Sequence, residues 1–379
     1  MARSSLPRTP LTAPAAAPTW QRLKQLFAGR RGGPQGRDGG ASTGFAQSTF
    51  AQSTLADTPR RLPRATDYAL RHVIARSDRT TIYSATEVAR GHLVAMKTVR
   101  LGRASDAERT LWRERFLREA AAAARLKHEH IVRVHAGGVQ GEGDALTGWL
   151  AMEWVHGTDM SRYTTPARLL PEAVVVGIAQ RVALALAFAH RSGVVHRDVK
   201  PTNVLFDPST GTVKVTDFGS ARLADATATR SGLMIGTPAY MAPEQLLGAD
   251  PSPQSDLYSL GVMLFELLVG QRPFQASSMG QLLAQIAHQT APRVRTLRPE
   301  LPELLDDIVA RLLAKTPAMR QPNGHQLAIE LRLAQAQCST PEAGSAVAAW
   351  ADPPVAAEPT DAPAKGGAGA TAFQGTIAD

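Results

Sequence analysis

Cysteine is nearly absent. Cys338 is the single one in 379 residues, so no intramolecular disulfide framework can form and a reducing, cytoplasmic setting is expected. Aromatic residues make up only 5% of the chain, too few to furnish the stacking platforms of a nucleic-acid-binding core. Long hydrophobic runs are missing as well. The longest apolar stretch, Val174 to His190, carries Gln180 and Arg181 and falls short of the roughly 20 uninterrupted residues a bilayer span needs. No transmembrane segment is therefore expected. Near the N-terminus Pro7, Pro10 and Pro14 break any apolar run, which argues against a secretory signal.

Hydrophobic residues at 44% and charged residues at 20% are enough for a sizeable core. The length exceeds one ordinary domain of roughly 100–200 residues, so two lobes, or a domain with tails, are expected. Net charge is +9, but ten Lys and Arg residues lie before residue 65, against only Asp38 and Asp57. The centre of the chain is mildly basic, and no nucleic-acid partner is expected.

Composition divides the chain in three. Residues 1–64 are Ala, Pro, Ser, Thr and Arg with few large apolar side chains, a basic head expected to be disordered. Two features interrupt it. Trp20, Leu23, Leu26 and Phe27 with Arg22 and Lys24 form a short basic amphipathic pattern, read either as a peripheral membrane or docking peptide or as a transient helix. A tandem repeat, Phe45 to Thr49 and Phe50 to Thr54, reads Phe-Ala-Gln-Ser-Thr twice, either a set of phosphate acceptors or linker drift. Residues 65–337 have the composition of a folded domain. Short β-branched runs, such as 81–83 and 93–96, precede a long helical pattern over 105–126, and helical periodicity follows at 172–190, 256–269, 278–288 and 302–314. The pattern predicts an α+β fold with a small β-rich lobe, about 65–152, and a larger helical one, about 156–337. Residues 338–379 return to Ala, Pro and Gly and are expected to be a disordered tail.

The chemistry lies in spaced polar residues. His196-Arg197-Asp198-Val199-Lys200-Pro201-Thr202-Asn203 is followed, 14 residues after Asn203, by Asp217-Phe218-Gly219. Upstream stand Val94-Ala95-Met96-Lys97 and Arg118-Glu119-Ala120; downstream stand Gly236 to Glu244, then Asp256 and Arg320. This ordered set resembles the protein kinases, most closely the bacterial eukaryotic-like (Hanks-type) Ser/Thr protein kinases. The resemblance covers about 270 residues and implies a bilobal kinase fold that transfers the γ-phosphate of ATP, with Mg²⁺, to protein Ser/Thr hydroxyls.

It also implies roles. Asp198 orients the incoming hydroxyl and Lys200 holds the γ-phosphate, while Asn203 and Asp217 ligate Mg²⁺. Lys97, paired with Glu119, contacts the α- and β-phosphates. Met152, Glu153 and Val155 lie in the segment joining the lobes, Asp159 near the ribose, and Ile82, Ala95 and Leu205 around adenine. Arg197 receives an activating phosphate, for which Thr229, Ser231 and then Thr227 are the acceptors; Glu244 pairs with Arg320, and Asp256 anchors the catalytic loop.

One departure stands out. The family's phosphate-covering loop is Gly-x-Gly-x-x-Gly, whereas the matching stretch is Ala75-Arg76-Ser77-Asp78-Arg79-Thr80. A Cβ obstructs close backbone approach to phosphate. Arg76 and Arg79 are expected to offer charge to the triphosphate in compensation. The departure also opens an alternative, a pseudokinase scaffold with weak nucleotide binding, against which the intact Lys97, Glu119, Asp198, Asn203 and Asp217 argue.

Overall fold

The structure, a computed structural model, describes residues 50–51, 63–101, 105–218 and 238–338. Alternating apolar positions around tight turns make five of the N-terminal strands: β2 (Tyr68–Arg76), β3 (Thr80–Glu87), β4 (Leu93–Arg100), β5 (Val134–Gln140) and β6 (Thr147–Glu153). All pair antiparallel, in the order β5-β6-β4-β3-β2. A two-residue strand, β1 (Phe50–Ala51), adds to the free edge of β5, with Phe50 opposite Gly137. The stretch expected to be disordered thus contributes to the sheet. The reason is that an edge strand presents unpaired N–H and C=O groups that any extended segment can satisfy.

Register decides which residues meet. Side chains directly opposite across a ladder share a face. The pairs Ile82 with Lys97, Lys97 with Leu150, and Ala95 with Met152 therefore place all five on one face. The opposite face buries Tyr68, Ala85, Val94, Met96, Trp149 and Ala151 as a small core of its own.

Helix α1 (Asp106–Arg125) begins at Ser105, whose backbone N–H donates to Glu108 Oε2 at 3.0 Å, a cap for one orphan donor. Trp112, Phe116, Glu119, Ala120 and Ala123 recur at helical spacing and line one cavity with Lys97. Glu119 and Lys97 thus face the same space.

After β6 the chain turns at Gly157, where φ is +102° and a Cβ would lie 2.2 Å from the Phe206 carbonyl oxygen. Only glycine fits this approach. A second sheet follows in the order β7 (Thr158–Asp159), β8 (Val204–Asp207), β9 (Thr212–Val215). The lobes are also stapled away from the joining segment. Val132 N–H donates to Val215 O at 2.8 Å, Val215 N–H donates to His130 O at 2.9 Å, and Ile131 bridges Val215.

The helical lobe is built around α2 (Glu172–Arg191) and α4 (Pro253–Val269), followed by α5 (Met279–His288), α7 (Glu303–Leu312) and α8 (Gly324–Gln335); α3 (Pro243–Leu246) and α6 (Val294–Leu297) are single turns. Helix α4 is buried from Ser255 to Leu268 on every side, which a helix apolar all round requires. Helix α2 is, by length and composition alone, apolar enough to cross a membrane, contrary to the expectation from Gln180 and Arg181. Its Val175, Ile178, Val182 and Leu186 are instead core residues, and Arg181 Nη1 donates to Gly211 O at 3.2 Å.

Candidate active site

The catalytic-loop string folds into a knot of short polar contacts. Asp198 Oδ2 lies 2.7 Å from Lys200 Nζ, and Asn203 Nδ2 donates both to Asp198 O, at 2.7 Å, and to Asp198 Oδ2, at 3.0 Å. One cation and one amide therefore hold the Asp198 carboxylate in place. With Nδ2 committed to Asp198, the Asn203 Oδ1 acceptor is turned elsewhere.

Helix α4 sets this loop from below. Asp256 is 1% exposed; its Oδ1 accepts Arg197 N–H at 2.7 Å, and its Oδ2 accepts His196 N–H at 2.7 Å and pairs with His190 Nε2 at 2.8 Å. Arg197 itself has φ +74°, a left-handed conformation that a non-glycine residue holds only when its surroundings dictate it. The two hydrogen bonds from the 196–197 backbone dictate it here.

His196 carries the link onward. Its Nε2 donates to Thr216 O at 2.8 Å and its Nδ1 accepts Asp198 N–H at 3.2 Å, a pairing that requires the Nε2–H tautomer. The ring also packs on Phe218, with centroids 4.5 Å apart, and Thr216 N–H donates to Asn203 O at 3.0 Å. Catalytic loop and Asp217-Phe218 are thereby one hydrogen-bonded unit.

Asp217, also left-handed at φ +66°, lies 2.7 Å from Lys97 Nζ. Burial would raise its pKa, but the Lys97 ammonium, with a smaller pull from Lys200, holds it below the ordinary carboxylate value. Lys97 is only 6% exposed, and a buried ammonium of this kind requires an anion. Asp217 and the Asn203 carbonyl are hard oxygen donors of the kind Mg²⁺ takes, and Asp217 is held in the ionised form such a role needs.

Above the loop, Met152, Val134 and Val132 pack against α1 with Ala95, Val155 and Leu205 partly buried beside them. Ile82 shares the face of Ala95 and Met152 by register. Asp159 pairs directly opposite Leu205, and its Oδ1 accepts Ser161 N–H at 2.9 Å. Glu153 ends β6 in an ion pair with Lys214 of β9 at 2.8 Å. Lys214 had no place in the sequence reading, since a lysine in a Thr-Val-Lys-Val strand looks like any outward-facing charge. The same holds for Leu150, which only the strand register places beside Lys97.

Below the site, Arg320 is 2% exposed and gives all five of its N–H groups. Nη1 and Nη2 grip Glu244 at 2.8 and 2.7 Å, and the remaining donors reach Gln254 O, Ala314 O and Lys315 O. Burial would raise the Glu244 pKa, but the Arg320 fork and Ser255 keep it below the ordinary value. Thr227, Thr229 and Ser231, like Trp20 to Phe27, lie outside the described residues.

The stretch expected to cover phosphate is a closed hairpin. Ser77 N–H donates to Thr80 O at 2.8 Å and Thr80 N–H to Ser77 Oγ at 3.3 Å. Among the described residues only Arg197 and Asp217 are non-glycine with positive φ, so this turn needs no glycine. Two of its amides are spent inside the turn. Arg79, expected to face the triphosphate, lies with its guanidinium 5.3 Å from the ring centre of Trp112 on α1.

Residues 68–328 match the family model of the protein kinase domain. The chain belongs to the protein kinase family. Among curated relatives, serine/threonine-protein kinase PknA of Mycobacterium tuberculosis is 39% identical over 259 residues, 68% of this chain and 58% of PknA. PrkC of Bacillus subtilis is 32% identical over 268 residues, 70% of this chain and 40% of PrkC. The chain thus spans only about half the length of these relatives. Among solved structures, the Mycobacterium tuberculosis PknI kinase domain matches with TM-score 0.55 and 30% identity, covering 71% of this chain and 96% of that one. Rad53 in complex with AMP-PNP matches with TM-score 0.57 and 25% identity, covering 69% and 64%. The kinase fold expected from sequence, a sheet-rich lobe and a helical one, is the fold observed.

Proposed function

We propose that this kinase-family chain is a cytoplasmic, ATP-dependent Ser/Thr protein kinase that phosphorylates protein hydroxyls and its own activation segment. The observation that carries the reading is the set of contacts that joins the Lys97–Asp217 pair, through the Thr216 and Phe218 neighbours of Asp217, to His196, Asn203, Asp198 and Lys200. A non-enzymatic scaffold has no chemical use for that set.

In this reading Asp198 accepts the hydrogen bond of the incoming hydroxyl and fixes its lone pair in line with the γ-phosphate. Lys200, 2.7 Å from Asp198, holds a γ-phosphate oxygen and carries charge balance as negative charge develops. Lys97 takes the α- and β-phosphates, exchanging the Asp217 carboxylate for phosphate oxygens, so the buried ammonium keeps an anion throughout. Mg²⁺, held by Asn203 and Asp217, would neutralise the triphosphate. Ile82, Ala95, Met152 and Leu205 enclose adenine, the 153–155 backbone reads its edge, and Asp159 meets the ribose. Arg197 receives a phosphate on Thr229, Ser231 or Thr227.

The closed, glycine-free hairpin favours a second reading, a pseudokinase scaffold that binds nucleotide weakly. Transfer of labelled phosphate from ATP to myelin basic protein, or to the chain itself, separates the two. Mg²⁺-dependent incorporation that Asp198→Asn abolishes supports the enzyme; no incorporation, with partner binding retained, supports the scaffold.

A further inference from the structure

The β2–β3 hairpin is tied to helix α1 at its tip. Arg79 places its guanidinium 5.3 Å from the Trp112 ring centre, within cation–π range. Trp112 is buried beside Phe116 and Leu101, so the platform under Arg79 is fixed by the core. On the other side of the tip, Arg100 Nη2 donates to Asp78 O at 2.9 Å and Arg100 N–H to Arg79 O at 2.9 Å. Arg79, Thr80 and Arg100 line the same cavity as Lys97, Trp112 and Glu119.

We infer that Arg79 is a positioning residue, one that docks the nucleotide-covering hairpin on Trp112 so that hairpin and Glu119-bearing helix move as one body. The inference rests on the kinase reading. In a glycine-rich loop the lid gains its hold on phosphate from backbone freedom. Here the turn amides of Ser77 and Thr80 are used internally, and freedom is replaced by a fixed tip. A lid placed in advance loses less entropy when nucleotide binds. The latch also makes the setting of α1 depend on the lid, because Trp112 and Glu119 lie seven residues apart on one helical face.

The test uses the full chain with Arg79→Gln, Arg79→Lys, Trp112→Leu and the Arg79→Gln/Trp112→Leu pair. ATP affinity is read by direct titration with a fluorescent ATP analogue, KM and kcat by phosphotransfer, and the hairpin and α1 by hydrogen exchange. Arg79→Gln is expected to weaken ATP two- to fivefold in Kd and KM, about the worth of one partly exposed cation–π contact. Its kcat should stay within about twofold, and amides of both the hairpin and α1 should exchange faster. Arg79→Lys, which keeps a cation over the ring, should recover most of the loss, and the double variant should be no weaker than the worse single one. Unchanged ATP affinity and exchange in Arg79→Gln, or fully additive losses, would overturn the latch. If Trp112→Leu does not fold, the contrast between Arg79→Gln and Arg79→Lys decides. Should the wild-type chain transfer no phosphate, the kinase reading fails, while nucleotide titration and hydrogen exchange still decide the latch.

Discussion

Asp256 holds Arg197 in a left-handed conformation: the Arg197 N–H donates to Asp256 Oδ1 at 2.7 Å with φ at +74°. The residue immediately before Asp198, the proposed catalytic aspartate, is thus set by a carboxylate on a helix buried from Ser255 to Leu268. Asp256→Ala would leave two backbone donors buried and unmatched, a loss on the order of 2–5 kcal/mol. Asp256→Asn, which keeps one acceptor oxygen, should fold with a smaller loss and still transfer phosphate at least tenfold more slowly. Denaturant unfolding alongside kcat measures both, and wild-type kcat in a folded Asp256→Asn variant would contradict the anchoring role.

Asp198 and Asp217 should separate binding from chemistry. Asp198→Asn keeps size and loses the proton-accepting carboxylate, so phosphotransfer should drop by about 10² or more while Mg·ATP still binds. Asp217→Asn removes the carboxylate 2.7 Å from Lys97 Nζ and should abolish Mg²⁺-dependent nucleotide binding itself. Nucleotide titration of the two variants, with and without Mg²⁺, gives the comparison. Equal affinities would contradict the assignment.

The Glu244–Arg320 fork ties stability to acidity. The folded-state pKa of Glu244 is depressed, so its contribution is present above the ordinary glutamate value near 4.5 and is lost as pH falls through the lower folded value. Stability of the wild type should therefore fall below about pH 4.5. Glu244→Gln should be less stable at neutral pH, by about 3–5 kcal/mol for a broken buried pair, with a flatter acid limb. Chemical denaturation between pH 3 and 7 tests this, and parallel curves would exclude Glu244 as the source.

Phosphorylation within residues 219–237 should raise activity. A phosphate adds about −1.5 to −2 charges and orders a loop by pairing with arginine, here Arg197. The double variant Thr229→Ala/Ser231→Ala should be about tenfold slower, the worth of one charge-assisted hydrogen bond. Mass spectrometry of the chain after incubation with ATP identifies the sites. An unmodified segment in an active preparation would refute the proposal.

The core of the site was legible because its chemistry needs particular residues at short spacing. Asp198, Lys200 and Asn203 occupy one loop, and helical and strand periodicity placed α1, α2, α4 and β4 within a few residues of where they lie. Contacts between residues far apart in sequence were not legible. Glu153 with Lys214, and Arg79 with Trp112, join 61 and 33 residues across the chain, and each partner alone looks like a surface charge or a core aromatic. Motif position places Arg79 beside the cavity that Lys97 also lines, but it says nothing of the Trp112 ring under its guanidinium. Phe50 and Ala51 were read as unstructured because a segment with too little apolar surface to fold alone can still complete the edge of another element.

The bond between Val215 and the segment before β5 has a mechanical consequence. Two lobes joined by a single strand can swing apart in any direction. With Val132 and His130 clamped to Val215 by hydrogen bonds of 2.8 and 2.9 Å, a second point is pinned, and two pinned points define an axle. Rotation about that axle leaves the back of the cleft nearly still and concentrates displacement at the front rim, where the β2–β3 hairpin lies.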